Sequence, residues 1–251
     1  MKRVYLLALI LVSILIFNFS RISLALDQPQ KPGGAKLKKI LSDFEQYAEQ
    51  ARIDWDIPGM AIAIVQDDKL IYTRGFGVKK IGRPEPVDVE TIFQIGSTSK
   101  AFTTVMIAML VDQERLDWKD KVIDHLPAFQ MYDPWVTREF MLEDLMAQHS
   151  GLHSYSGDLQ VFIGFDREHI IHSLRYLRPV SSFRSEFGYQ NNLFLVAAAL
   201  IEKSTGKSWE NNLREQILDP LGMSKNFIQF KKLSRRLIMS VLFIKKWTER
   251  L

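Results

Sequence analysis

Residues 60–78 read MAIAIVQDDKLIYTRGFGV. Met60–Val65 is a compact apolar run, Asp67-Asp68 is a turn pair, and Leu70–Val78 is a second run of strand-forming residues. Two such runs joined by a two-residue polar turn predict an antiparallel β-hairpin. Just before it, Pro58-Gly59 punctuates the chain. Upstream of that, Leu37, Ile40, Leu41, Phe44, Tyr47 and Ala48 recur in steps of three and four. That period predicts one apolar face of a helix over 37–53. A helix leading into a hairpin starts an α+β fold rather than the strand–helix alternation of a doubly wound sheet.

Beyond the hairpin, residues 79–90 are a polar loop with Gly82, Pro84 and Pro86, and residues 92–95 are short and extended. Gly96-Ser97 then opens a helix whose apolar residues Phe102, Val105, Met106, Met109 and Leu110 fall at helical spacing. Further helices are expected over 118–126 (ended by Pro127), 142–146, 192–202 (closed by Gly206) and 209–218 (ended by Pro220-Leu221-Gly222).

Composition narrows the function classes. The 251 residues are 47% hydrophobic and 25% charged, enough to build a sizeable core. The net charge of +4 does not by itself imply a nucleic-acid partner, and no block of interleaved basic and aromatic residues in the body of the chain resembles a nucleic-acid-binding module. With no cysteine, disulfides, thiolate metal sites, a cysteine nucleophile and a lipid-bearing cysteine are all excluded. At the front, Lys2 and Arg3 precede an almost wholly apolar stretch from Val4 to Phe19, and Ser23-Leu24-Ala25 offers a small-x-small cleavage site. This predicts an export signal over 1–25, followed by a Gln/Pro/Gly/Lys linker over 26–36. The apolar run is shorter than the ~20 residues of a spanning helix. Membrane attachment is therefore expected only if the segment is left uncleaved, and the body is expected outside the cytoplasm, periplasmic or extracellular.

Three groups of residues could carry chemistry. Ser97-Thr98-Ser99-Lys100 places a lysine three residues after a serine, on the same side of a helix start. A serine nucleophile needs such a base or cation nearby, and a helix N-terminus adds partial positive charge for a developing oxyanion. Alone, the tetrad equally describes a serine cap followed by a solvated lysine. Tyr189-Gln190-Asn191 precedes the 192–202 helix. A phenol can shuttle a proton where nearby cations depress its pKa, and an amide can orient both a lysine and a substrate carbonyl. An isolated Tyr-x-Asn equally describes a turn with a half-buried tyrosine. His149 with His153, and His169 with His172 beside Glu168, have helical metal-ligand spacing. Neither pair has a glutamate between its histidines or a clear third ligand, so both read as surface or turn histidines, and no metal is expected.

Taken in order, Phe93-Gln94-Ile95-Gly96-Ser97-Thr98-Ser99-Lys100, His149-Ser150-Gly151-Leu152, Phe187-Gly188-Tyr189-Gln190-Asn191 and Asp219-Pro220-Leu221-Gly222-Met223 resemble the β-lactamase-related serine hydrolases. That family includes class C β-lactamases, D-alanyl-D-alanine carboxypeptidases, D-aminopeptidases and esterases. Ile57-Pro58-Gly59 and Gly75-Phe76-Gly77 fit its N-terminal hairpin, so the resemblance covers residues 37–224. It implies an antiparallel sheet flanked by helices, with an all-helical part, and no cofactor. It implies that Ser97 is acylated, that Lys100 assists its deprotonation and that Tyr189 is general base and then proton donor to the leaving group. Asn191 would hold the substrate amide and the lysine. Tyrosine in the second motif, where class A enzymes have Ser-Asp-Asn, points to the class C and carboxypeptidase branch. In the family the oxyanion hole combines the N–H of the nucleophile, here Ser97, with one from a later strand. The implied partner is a small-molecule or peptide substrate: a D-peptide, an ester or a β-lactam.

The family's third motif, Lys-Thr-Gly or His-x-Gly on that later strand, has no counterpart in the sequence. Residues 225–251 form a divergent basic tail without glycine, with eight lysines and arginines against the single acid Glu249 and an apolar run over 237–244. The change of character is expected to mark a truncation or frameshift, with C-terminal strands of the sheet missing and the 237–244 run able to replace one strand. The alternative is a divergent ending that folds back on the body. Two further readings stand beside an active hydrolase: a non-catalytic binding protein for penicillins or peptidoglycan, and a non-functional fragment.

Overall fold

The computed structural model describes residues 34–223, together with the backbone of two short strands at 227–228 and 242–244. The export signal and most of the linker expected at the N-terminus lie outside the described residues.

Helix α1 (Gly34–Asp54) begins three residues before the expected domain start. Its inward side is Leu37, Leu41, Phe44 and Ala48, at the spacing of one helical face, while Ile40 and Tyr47 of the expected stripe turn outward and are exposed. The hairpin follows as β1 (Gly59–Gln66) and β2 (Lys69–Gly77), antiparallel, with Gln66 opposite Lys69. Asp67 and Asp68 both take positive φ, at 51° and 58°. That is the turn whose twist matches two strands joined by two residues. A bulge between Ile64 and Val65 shifts the register. Phe44 meets Tyr72 edge to face at 5.9 Å, and Glu45 accepts from Arg74, which ties α1 to the hairpin. The polar loop after β2 turns back along it, and Val87 N–H donates to Gly77 O at 2.9 Å.

Strand β3 (Phe93–Gln94) runs into a 3₁₀ turn at Gly96–Thr98 and then α2 (Ser99–Asp112). The rest of the body is helical: α3 (Val122–His125), α4 (Pro134–Glu139), α5 (Leu142–Ala147), α6 (Leu159–Phe162), α7 (Arg167–Ser173), α8 (Asn192–Thr205) and α9 (Trp209–Leu213), which widens into a π-turn over Arg214–Leu218. Of the expected helix at 118–126 only Val122–His125 forms, because the Asp117–Asp120 stretch closes a turn of its own, with Asp117 N–H bonded to the Asp120 carboxylate.

Helix α8 is the hub, packed against α2, α5, α7 and α9. The buried side of α2 is Thr103, Met106, Ile107 and Leu110; of the expected stripe, Met106 and Leu110 are buried, Phe102 and Met109 pack partly buried against the core, and Val105 is exposed. Met106, Ile107 and Leu110 are each at most 1% exposed, and full burial of such side chains stabilises by roughly 1.5–3 kcal/mol apiece. The one core runs through these helices, while no residue of β1 is fully buried. β5 (Leu242–Ile244), inside the apolar run of the basic tail, pairs antiparallel with both β3 and β4 (Phe227–Ile228), placing Ile244 opposite Phe93. An α+β arrangement of a small antiparallel sheet and a helical part is thus observed.

Candidate active site

Ser97 stands on the 3₁₀ turn between β3 and α2, where Gly96 takes φ +51° and lets the chain turn sharply. Side chains three apart eclipse one another in such a turn. This brings Ser97 beside Lys100 on the first turn of α2. Thr98 Oγ1 donates to Ile95 O at 2.6 Å and Ser99 Oγ to Gly96 O at 2.7 Å, so both neighbouring hydroxyls are spent on the backbone. Ser97 is exposed, and its hydroxyl faces the site.

Lys100 Nζ lies 3.3 Å from Ser97 Oγ, 2.7 Å from the Tyr189 hydroxyl and 2.7 Å from Asn191 Oδ1. Three ammonium hydrogens meet three oxygens. The Tyr189 hydroxyl is 2.6 Å from Ser97 Oγ, close enough for a proton to pass between them. The ammonium also sits 4.7 Å from the Tyr189 ring centre and 5.3 Å from that of Phe194. All four residues singled out in the sequence therefore meet in one place, from positions up to 94 apart.

The loop carrying Tyr189 and Asn191 is fixed from the His149-Ser150-Gly151 segment. Gln148 ends α5 in the left-handed conformation, and its carbonyl accepts from Gly188 N–H at 3.0 Å while its side chain accepts from Gln190 N–H. A Cβ on Gly188 would stand 2.2 Å from Leu152 O, so only glycine fits. Ser150 is buried and accepts from Leu152 N–H at 3.2 Å, a turn role remote from the chemistry. Arg184 spans Asp144 through two hydrogen bonds of 2.8 and 2.7 Å, bracing α5 beneath this junction.

The histidines do not join the site. His153 Nδ1 meets Ser154 O at 2.9 Å, His169 stacks on Phe165 at 4.0 Å, and the His172 ring lies 6.0 Å from that of Tyr176. No group of three or more His, Cys, Asp or Glu is gathered for a metal among the described residues. Sequence reasoning missed Asp158. Its carboxylate accepts from Asn191 Nδ2 at 2.6 Å, and burial pushes its carboxyl above the usual carboxylate range, against the Asn191 bond and the Lys100 charge.

The beta-lactamase family model matches residues 44–230. An unguisins hydrolase of Aspergillus violaceofuscus is 32% identical over 197 residues, covering 75% of this chain and 35% of that protein. Penicillin-binding protein 4 of Amycolatopsis lactamdurans is 26% identical, covering 73% and 48%. Among solved structures, the octameric penicillin-binding protein homologue from Pyrococcus abyssi superposes with a TM-score of 0.67 at 25% identity, over 78% of this chain and 46% of that one. D-amino acid amidase from Ochrobactrum anthropi, at 18% identity and a TM-score of 0.63 over 76% and 53%, shares the fold. The chain spans between about a third and a half of the length of the relatives it matches. With the family model covering most of the chain and the four motif residues gathered at one point, the chain belongs to the beta-lactamase family.

Proposed function

We propose that this chain carries an exported serine acyl-transferase site that hydrolyses amide, ester or β-lactam bonds through an acyl-enzyme on Ser97. The observation that carries the reading is the convergence of Ser97 Oγ, the Tyr189 hydroxyl and Lys100 Nζ within 3.3 Å of one another. In acylation Ser97 Oγ attacks the substrate carbonyl carbon while its proton passes to Tyr189. To accept that proton Tyr189 must first give up its own, and the Lys100 ammonium 2.7 Å away is placed to stabilise the resulting oxygen anion by a charge-assisted contact. When the tetrahedral intermediate collapses, the C–N or C–O bond breaks, and Tyr189 returns the proton to the leaving atom. Water then attacks the ester by the reverse sequence, releasing acid and free Ser97. The remaining Asn191 Nδ2 hydrogen is available to a substrate carbonyl.

The relatives support hydrolysis: one is named an unguisins hydrolase, and a Staphylococcus aureus relative is named a teichoic acid D-alanine hydrolase. Export rests on the basic and apolar opening of the sequence and its small-x-small site. No described helix is long and apolar enough to cross a membrane. A second reading, a relative that binds or acylates without turnover, is favoured by the strand seated beside β3, Leu242–Ile244, which is not a Lys-Thr-Gly or His-x-Gly sequence. Treatment with a fluorescent penicillin and a fluorophosphonate, followed by peptide mapping, tests the common step. An adduct on the Ser97 peptide is expected; an adduct elsewhere, or none with either probe, overturns the assignment.

A further inference from the structure

Asp158 lies at the end of a segment, residues 153–158, that is hydrogen-bonded along the Tyr189–Asn192 loop. Tyr155 N–H donates to Tyr189 O at 2.8 Å, and Tyr189 N–H donates to Ser154 Oγ at 3.0 Å. Gln190 Nε2 donates to His153 O, and Asn192 Nδ2 to Ser156 O at 3.0 Å. These bonds hold backbone. Tyr155 meets the Tyr189 ring at 5.2 Å, and Asp158 hydrogen-bonds to a side chain of the reacting group: its Oδ2 accepts from Asn191 Nδ2 at 2.6 Å, and the other end of that amide, Oδ1, accepts from Lys100 Nζ at 2.7 Å. Asp158 Oδ1 is shut from solvent and has no hydrogen-bond partner among the described residues.

An asparagine amide has one donor end and one acceptor end, and which way it points is decided by its neighbours. Here a cation stands at one end and a carboxylate at the other. Turning the amide over would set its NH₂ against the Lys100 ammonium and its oxygen against the Asp158 carboxylate, two repulsive contacts in place of two charge-assisted hydrogen bonds. We infer that Asp158 is a positioning residue that locks the Asn191 amide in one orientation and thereby holds the Lys100 ammonium against Ser97 and Tyr189. The lock is a statement about Asn191 itself; its consequence for rate rests on the serine reading above. Burial raises the Asp158 carboxyl above the usual range, so it takes up a proton earlier as pH falls, and a protonated carboxyl is a weaker anchor for the NH₂. Lys100 of α2 and Tyr189 of the loop are the titratable groups that flank the Asp158–Asn191 pair, and both remain in any Asp158 variant.

The test uses the full chain, its Asp158→Ala and Asp158→Asn variants, and two readouts. The first is the pair of Asn191 side-chain amide resonances, assigned by their loss in Asn191→Ala. The second is the rate of Ser97 labelling by a fluorescent penicillin across pH 5–9. In Asp158→Ala the Asn191 amide protons should exchange faster with solvent, and labelling should slow about 10- to 100-fold, the loss of one charge-assisted hydrogen bond. Asp158→Asn keeps an acceptor and should recover part of the exchange protection and of the rate. The decline of labelling on the acid side that belongs to Asp158 should be missing from both variants. Asn191 resonances unmoved in both variants would overturn the lock. Displaced resonances with unchanged labelling rates would overturn its effect on Lys100. An unlabelled wild-type chain would defeat the serine reading, and the resonances would still decide the lock.

Discussion

Removing the Tyr189 hydroxyl while keeping the ring separates proton transfer from packing. The ring lies against the Lys100 ammonium and 5.2 Å from Tyr155, and Tyr189→Phe retains both ring contacts. The melting temperature should therefore hold within a few degrees while Ser97 acylation falls by roughly 10²–10⁴-fold, the worth of a lost acid–base group. Near-normal acylation in that variant would move the base role to Lys100. The choice of nucleophile is tested at the same scale. Ser99 Oγ is bound to Gly96 O and Ser97 Oγ faces Lys100 and Tyr189, so Ser97→Ala should abolish labelling and Ser99→Ala should leave it intact. Label retained in Ser97→Ala would refute the assignment.

Among the elements, the junction of α5 with the Tyr189 loop is where fold and site are joined. Gly188→Ala must push backbone away from Leu152 O, and the displaced neighbour is Tyr189. A displacement of about 1 Å can cost on the order of 10²-fold in rate, so labelling should fall by that order with the helical circular dichroism retained; an unaffected labelling rate would show that the loop relaxes without moving the phenol. Asp144→Ala tests the brace below. Its carboxylate caps Met141 N–H and binds Arg184 twice, and its removal should destabilise by about 1.5–3 kcal/mol in urea unfolding. The sequence made part of this legible. The Asp67-Asp68 hairpin and α8 with its Gly206 cap rest on patterns local in the chain, whereas Ser97, Lys100, Tyr189 and Asn191 are singled out through the resemblance carried by four motifs in order along residues 93–223. Two helices with clear start signals went unread: α4 has Asp133 as cap and Pro134 in its first turn, and Asp166 caps α7. Asp158 had no local signature. Its role exists only because the 153–158 segment folds onto residues more than thirty positions later.

At the scale of the molecule, the helical body is closed around one core while the hairpin is open. β1 alternates half-buried Ile62 and Ile64 with exposed Ala61, Ala63 and Val65, and α1 covers one side. A two-stranded hairpin is marginal by itself, and an uncovered apolar face invites association. The same openness bears on chemistry. The resemblance expects one oxyanion donor from Ser97 and a second from a later strand bearing Lys-Thr-Gly or His-x-Gly. The strand that pairs with β3 here is Leu242–Ile244, which carries neither sequence. Loss of one oxyanion donor costs about 10²–10³-fold in rate. A polypeptide of residues 26–251, purified as a monodisperse monomer, should therefore hydrolyse a chromogenic cephalosporin and a short-chain nitrophenyl ester at least about 10²-fold more slowly than a relative whose corresponding strand carries Lys-Thr-Gly or His-x-Gly, even where Ser97 still accepts a label. Labelling with slow turnover would place the defect in the strand beside β3 rather than in the Ser97, Lys100 and Tyr189 group. Turnover equal to that of such a relative would show that the segment after Met223 completes the oxyanion site without a glycine motif on the strand beside β3.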